Sequence, residues 1–179
     1  MIHTKPVDVL IEPVIPAITL HDRARACHAV ARHTNKPSRV LLCAVHAHIT
    51  AILDRCGPRA TCGGCHAPVW SVRGLKGREL TVDPAGGRHD RGCADALGPM
   101  RIRIETALRR EYDDPVAAYT ELIRAETALF LQALGSQALC SACDQPVYWL
   151  QHLTGERVPY SPAGVDHAED CPKRESREK

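Results

Sequence analysis

The sequence predicts an α+β fold of two tandem modules, each a helical hairpin followed by a small β-hairpin. An internal repeat, a cysteine–histidine pattern present in both repeats, and helical periodicity before each pattern support this fold. Shifting the sequence by 78 residues superimposes residues 20–93 on residues 98–171 without a gap, and 20 of the 74 aligned pairs are identical. The predicted organisation is an extended arm over residues 1–19, two modules with these bounds, and a charged tail over residues 172–179.

Both repeats carry three cysteines and one histidine with the same spacing. Each reads Cys-x2-Cys, then 23 residues, then His-x3-Cys. A Cys-x2-Cys turn places two thiolates about 2.3 Å from one ion, and His and Cys four positions apart lie on one face of a helical turn. The predicted metal ligands are Cys62, Cys65, His89 and Cys93, then Cys140, Cys143, His167 and Cys171. Four protein ligands close a zinc tetrahedron, so the sequence predicts two structural zinc ions per chain.

The alternatives to zinc are reduced cysteines packed in a core and an iron–sulfur site. Reduced core cysteines would require chance to place the same four-ligand spacing twice. A histidine in place of one cysteine and a long intervening hairpin disfavour the second. Cys27, Cys43 and Cys56 align with Glu105, Glu121 and Leu134 of the second repeat, so we expect them to be thiols and not ligands.

Two helical segments precede each metal pattern. They are predicted at residues 22–33 and 38–55, and at residues 100–112 and 116–134. Pro37 and Pro115 align between them, where proline suits the first turn of a helix. One apolar face is predicted on each second helix, at Leu41, Ala44, Val45 and Ile52 and at Tyr119, Leu122, Ile123 and Phe130. We expect an antiparallel helical hairpin covering the β-hairpin, in preference to a DNA-reading helix-turn-helix.

Between the ligand pairs, each repeat is predicted to form two strands. They span residues 68–75 and 78–82, then residues 146–153 and 156–160. The N-terminal arm carries Pro6, Pro13 and Pro16 among aliphatic residues, which disfavours helix. The arm is expected to lie along its own body or to add to the sheet of a partner.

Charge separates the two repeats. Residues 20–93 carry twelve basic and five acidic side chains, whereas residues 98–171 carry six basic and eleven acidic ones. The basic residues predicted to bind nucleic acid are Arg73, Lys76, Arg78, Arg88 and Arg91. The alternatives are a solvated basic face and a patch that pairs with the acidic half of a neighbouring molecule.

The ligand segments resemble a zinc-ribbon module, found here in tandem, that recurs in small proteins of actinobacteria and their phages. The resemblance rests on Cys-Gly-Gly-Cys-His-Ala-Pro-Val-Trp at 62–70, Gly77-Arg78, Val82-Asp83-Pro84 and His89-x3-Cys93, with Pro-Val-Tyr-Trp and Ser-Pro-Ala-Gly in the second repeat. It covers the ribbons, about 64 of 179 residues. It implies zinc binding and, by analogy with other zinc ribbons, contact with nucleic acid or the transcription machinery.

Other functional classes lack their sequence signals. The chain has no phosphate-binding glycine loop, nucleophile elbow or His-Glu-x2-His helix, so we expect no enzyme. It has no apolar run of about 20 residues and no secretory signal pattern, which predicts a cytoplasmic protein without membrane contact.

The leading hypothesis is a regulatory or accessory protein of a phage or mobile element. Its basic first module would contact nucleic acid, and its second module would contact a protein such as RNA polymerase. The alternative is a zinc-stapled structural adaptor that mediates protein–protein contact or self-association without nucleic acid.

Overall fold

The computed structural model describes residues 19–74, 77–85, 89, 93 and 97–173. The chain has an α+β fold in which two helices and one small antiparallel sheet occur twice. The helices are α1 (Leu20–Ala31), α2 (Pro37–Cys56), α3 (Leu97–Ala107), α4 (Pro115–Leu134) and the short α5 (His167–Asp170). The strands are β1 (Arg59–Thr61), β2 (Pro68–Arg73), β3 (Glu79–Val82), β4 (Ser136–Leu139), β5 (Pro146–Gln151) and β6 (Arg157–Tyr160).

Local capping fixes where the helices begin and end. Thr19 caps α1 by accepting a hydrogen bond from the backbone N–H of Asp22, so α1 starts two residues before the predicted position. Pro37 and Pro115 occupy the first helical turns of α2 and α4, as predicted. Helix α3 ends at Ala107, earlier than predicted, and the Tyr112 hydroxyl donates to the carbonyl oxygen of Ala107.

Each sheet has three strands, where the sequence predicted only two. The first sheet has the order β1-β2-β3 and the second has the order β4-β5-β6, all antiparallel. The predicted strands correspond to β2, β3, β5 and β6. Gly77 and Gly155 adopt φ values of 72° and 87° in the turns between these strands, a conformation that glycine takes without a steric penalty.

The helices of the two repeats pack into each other. Helix α1 packs more extensively against α4 than against α2, and α3 packs more extensively against α2 than against α4. The His28 and Tyr119 rings meet edge to face across the α1–α4 contact, with centroids 5.6 Å apart. The prediction of a helical hairpin within each repeat is therefore incomplete, because the first helix of each repeat is covered mainly by the other repeat.

One hydrophobic core joins these helices and the inner faces of both sheets. The predicted apolar faces of α2 and α4 point into it: Leu41, Val45, Ile52, Tyr119, Ile123 and Phe130 are buried, and Ala44 and Leu122 are half-buried. Trp70 of β2 is fully buried and donates its indole N–H to Asp54 of α2 at 2.7 Å. This core fixes the orientation of each sheet, and thus of the cysteine turn that leads into it.

Loops of the second repeat also contact the first repeat through hydrogen bonds. The backbone N–H of Leu153 donates to the carbonyl oxygen of Arg55 at 2.9 Å. The Nε2 atom of His48 lies 2.8 Å from the carbonyl oxygen of Ala163, in the segment that leads from β6 to α5. Among the described residues, no helix is both long and apolar enough to cross a membrane.

Candidate metal centres

The first cysteine pair of each repeat lies in a closed backbone turn. The N–H of Cys62 donates to the carbonyl oxygen of Ala67 at 2.9 Å, and the N–H of His66 donates to that of Cys62 at 3.0 Å. Cys140 and Asp144 make the equivalent bonds, both at 2.9 Å. His66 and Asp144 have φ values of 59° and 58°, so both repeats use a left-handed residue to bend the chain after the second cysteine.

The predicted ligands of the first repeat converge on one point. Their ligand atoms all lie within 4.8 Å of one another. The Sγ atoms of Cys62 and Cys93 are 3.6 Å apart, and Cys65 Sγ lies 3.3 Å from His89 Nε2. Sulfur atoms about 2.3 Å from a tetrahedral ion are separated by about 3.8 Å, so this spacing matches a single four-coordinate ion.

The second repeat builds the same cluster. Cys140 Sγ lies 4.0 Å from Cys171 Sγ, and Cys143 Sγ lies 3.3 Å from His167 Nε2. His167 is buried in the first turn of α5, and Cys171 follows directly after this helix. The prediction that the His-x3-Cys segment forms a helical turn is thus confirmed for this repeat. The chain has two candidate tetrahedral Cys3His metal sites, consistent with two zinc ions.

Backbone N–H groups of the turn stabilise one thiolate in each cluster. The N–H groups of Cys65 and Gly64 lower the pKa of Cys62 to about 6, and the Gly64 nitrogen lies 3.4 Å from its sulfur. The N–H groups of Ala142 and Cys143 likewise lower the pKa of Cys140 to about 6. Metals bind the thiolate form of cysteine, so the turn prepares a ligand before the ion arrives.

Two residues of the first cluster, Cys93 and His89, carry protons that a metal must displace. Hydrogen bonding to Cys62 and then Cys65 raises the pKa of Cys93 to about 11. Burial acts to lower the pKa of His89, but hydrogen bonds with Cys62, Asp83 and Cys65 outweigh it and raise the pKa to about 8. Metal binding therefore releases protons, which makes the apparent affinity fall at low pH.

A carboxylate orients the histidine of the first cluster, which the sequence analysis did not predict. Asp83 Oδ2 lies 3.4 Å from His89 Nδ1, while Asp83 Oδ1 accepts a hydrogen bond from the N–H of Ala85 at 2.9 Å. The second ring nitrogen of His89 thus faces a carboxylate while Nε2 faces the thiolates. The repeat gave no signal for this role, because the equivalent residue of the second repeat is Ser161.

The three other cysteines lie outside both clusters. Cys27 and Cys56 are buried, and Cys43 is exposed. Burial raises the pKa of Cys27 to about 11 and that of Cys56 to about 12, so both stay protonated at neutral pH. Among the described residues, the groups close enough to hold an ion are the two predicted clusters.

The structure describes two of the five basic residues predicted to bind nucleic acid. Arg73 at the end of β2 and Arg78 before β3 are both exposed. Lys76, Arg88 and Arg91 lie outside the described residues.

Comparison with known proteins gives no further assignment. The chain has no significant match among family models, curated proteins or solved structures. The arrangement of its own side chains therefore carries the functional argument.

Proposed function

We propose that this protein binds two zinc ions as structural elements and uses its first repeat to contact nucleic acid. The observation that carries the zinc assignment is the duplicated Cys3His cluster, with all four ligand atoms of each cluster within 4.8 Å of one another. This spacing leaves room for one ion and not for the irons and sulfides of an iron–sulfur cluster. Four protein ligands fill the tetrahedron, so no open position remains for a catalytic water, and we propose no enzymatic activity.

Zinc binding contributes directly to folding in such small sheets. Each sheet has three short strands, and its ligands come from both ends of the hairpin. In small zinc domains the ion supplies roughly 10 to 16 kcal/mol of apparent folding free energy at neutral pH. Chelation is therefore expected to disorder both sheets while the helical core, which holds no ligand, retains part of its structure.

The nucleic-acid proposal rests on where the positive charge of the first repeat lies. Arg32, Lys36 and Arg39 are exposed around the start of α2. Gly57, just after the end of α2, packs against Ser71 and Val72 of β2, so Arg73 lies near this opposite end. Helix α2 has 20 residues and thus a length of about 30 Å. We propose that these exposed basic groups at the two ends of α2 contact phosphates.

The second repeat supplies a matched control for this proposal. It carries Gln151 and Glu156 at the positions of Arg73 and Arg78 on the same type of sheet. The double variant Arg73→Gln with Arg78→Glu therefore gives the first sheet the side chains that the second sheet carries at these two positions. We expect the wild-type chain to bind duplex DNA or RNA with a strong salt dependence, and the double variant to lose up to about two units of the salt slope on duplex DNA.

The test is fluorescence anisotropy of labelled duplexes and single strands over a range of salt concentrations. Asp144→Asn in the second repeat removes an exposed charge beside the other metal cluster and should strengthen binding slightly or leave it unchanged. Failure of the wild-type chain to bind any probe at low salt would refute the nucleic-acid proposal and leave the zinc assignment intact.

Self-association is the second candidate function. It is favoured by the opposite charge balance of the two repeats, which allows the basic repeat of one chain to face the acidic repeat of another. In this case sedimentation would show a mass that rises with protein concentration and falls with added salt.

A further inference from the structure

The two metal clusters have similar geometry but differ in how far their cysteines are exposed. Cys65 and Cys93 of the first cluster are exposed, whereas all three cysteines of the second cluster are half-buried. The sulfur pairs are nevertheless alike, with 3.6 Å between Cys62 and Cys93 and 4.0 Å between Cys140 and Cys171. The clusters thus offer an ion the same ligands but give solvent different access to the sulfur atoms.

A glycine in the first cysteine turn contributes to this difference. A Cβ atom added to Gly64 would lie 3.1 Å from the sulfur of Cys93 and 3.9 Å from that of Cys62. The second repeat has Ala142 at this position, where it lines the same pocket as Cys171. The turn of the second repeat therefore carries a methyl group beside its cluster, and the turn of the first repeat leaves one side of the Cys93 sulfur without this cover.

We propose that the first metal centre is a site of reversible oxidation, at which hydrogen peroxide joins Cys62 and Cys93 in a disulfide. The exposed Cys93 thiolate attacks a peroxide oxygen, so that an S–O bond forms, the O–O bond breaks and a sulfenic acid results. The Cys62 thiolate, 3.6 Å away, then attacks the Cys93 sulfur, the S–S bond forms and the S–O bond breaks. The two thiolates lose two electrons, and the peroxide takes these and two protons to leave as two water molecules.

This inference rests on the zinc assignment proposed above and is independent of nucleic-acid binding. After oxidation, Cys65 and His89 are the remaining ligands of the first cluster. Structural zinc is held by four protein ligands, so we expect the ion to dissociate and the first sheet to lose its metal crosslink.

The second cluster is held more firmly against the helical core. A Cβ atom added to Gly164, three residues before the ligand His167, would lie 2.7 Å from His48 Nε2 and 2.8 Å from Thr127 Cγ2. His167 is only 5% exposed, and Cys171 follows directly after its helix. This packing restricts the movement by which Cys171 could leave the cluster and meet an oxidant, so we expect the second ion to be retained.

Zinc release from the full-length, zinc-loaded chain tests this proposal. After hydrogen peroxide is added, a chromophoric chelator too weak to remove the ions by itself reports release, and mass spectrometry locates the disulfide. We expect one ion per chain to leave at least about tenfold faster than the other, together with a disulfide between Cys62 and Cys93. Reduction with a dithiol and addition of zinc should restore the second ion to each chain.

Variants of the two turns test the role of access. Gly64→Ala gives the first cluster the residue of the second, and Gly64 does not adopt the left-handed conformation that favours glycine. We expect it to slow release from the first centre at least about threefold, because the added methyl group covers the Cys93 sulfur. Gly63→Ala adds a Cβ atom that meets nothing within 4 Å and should release zinc at the wild-type rate. Ala142→Gly should speed release from the second centre.

Three results would overturn the proposal. These are equal release rates for the two ions, a disulfide that leaves Cys93 unmodified, and wild-type release rates in both Gly64→Ala and Ala142→Gly. Fewer than two zinc ions in the wild-type chain before peroxide is added would instead refute the zinc assignment itself, and the oxidation site with it.

Discussion

At the scale of single residues, the two metal clusters follow directly from spacing. All eight residues of these clusters could be predicted because the geometry of one ion allows few sequence separations, and the repeat shows the same separation twice. Asp83 could not be predicted, since a carboxylate that orients a histidine obeys no fixed spacing. Its role depends on how β3 leads into the segment before His89.

The Asp83 contact leads to a prediction about metal affinity. Asp83→Asn keeps the oxygen that accepts a hydrogen bond from the N–H of Ala85. It replaces the oxygen facing His89 Nδ1 with an amide nitrogen, which cannot accept a hydrogen bond. We expect the first centre to lose about 10- to 100-fold in zinc affinity while the second centre is unchanged. Stepwise competition with a chromophoric chelator measures both affinities.

Ser161→Ala provides the control for this change. Ser161 occupies the position of Asp83, and its hydroxyl oxygen has no hydrogen-bond partner within the described part of the chain. This variant should leave both affinities unaltered. Equal affinities in Asp83→Asn and the wild-type chain would show that Asp83 does not orient the ligand.

At the scale of elements, long periodic segments were predictable and short ones were not. Helices α2 and α4 have clear apolar faces and a proline at their start, and both lie within two residues of their predicted bounds. Strand β1 has three exposed residues, and strand β4 has four residues that alternate between half-buried and exposed, so neither strand has a buried apolar face. Their pairing is set by the turn after the preceding helix, which no local pattern specifies.

That turn depends on a close approach at Gly57. A Cβ atom added to Gly57 would lie 2.0 Å from the carbonyl oxygen of Ser71, a backbone atom that cannot move independently. We expect Gly57→Ala to lower the free energy of unfolding by at least about 1 to 3 kcal/mol, because the first sheet must shift away from α2. Urea unfolding of the zinc-loaded chain measures this change.

Gly63→Ala provides the control for this experiment. A Cβ atom added there meets nothing within 4 Å, so Gly63→Ala should change stability by no more than about 0.5 kcal/mol. If both variants unfold at the wild-type urea concentration, the first sheet does not depend on contact with the end of α2.

At the scale of the whole molecule, the two repeats keep separate sheets but share their helical core. The apolar faces of α2 and α4 were readable from the sequence, but a face does not specify which helix will cover it. Helix α1, which buries Ala24, Cys27 and Ala31, packs more extensively against α4 than against its own neighbour α2, although α4 begins 95 residues further along the chain. The packing of each first helix mainly against the other repeat is thus set by tertiary contacts and not by a local sequence pattern.

The shared core predicts that one repeat does not fold alone. A chain of residues 1–96 exposes the face of α1 that packs on α4, so we expect it to lose most of its helical circular dichroism and its cooperative thermal transition. Mixing it with residues 97–179 should restore both signals, because the two parts complete one core. A cooperative, fully helical 1–96 fragment would show that the repeats are independent.

The claim on which this account rests is that each repeat holds one zinc ion. Elemental analysis of the purified chain, together with Cys62→Ser and Cys140→Ser, tests it most directly, since each substitution removes one ligand from one cluster. We predict two zinc ions in the wild-type chain and one in each variant, with negligible iron. A wild-type content of one or none, iron in place of zinc, or two ions retained in either variant would contradict the account.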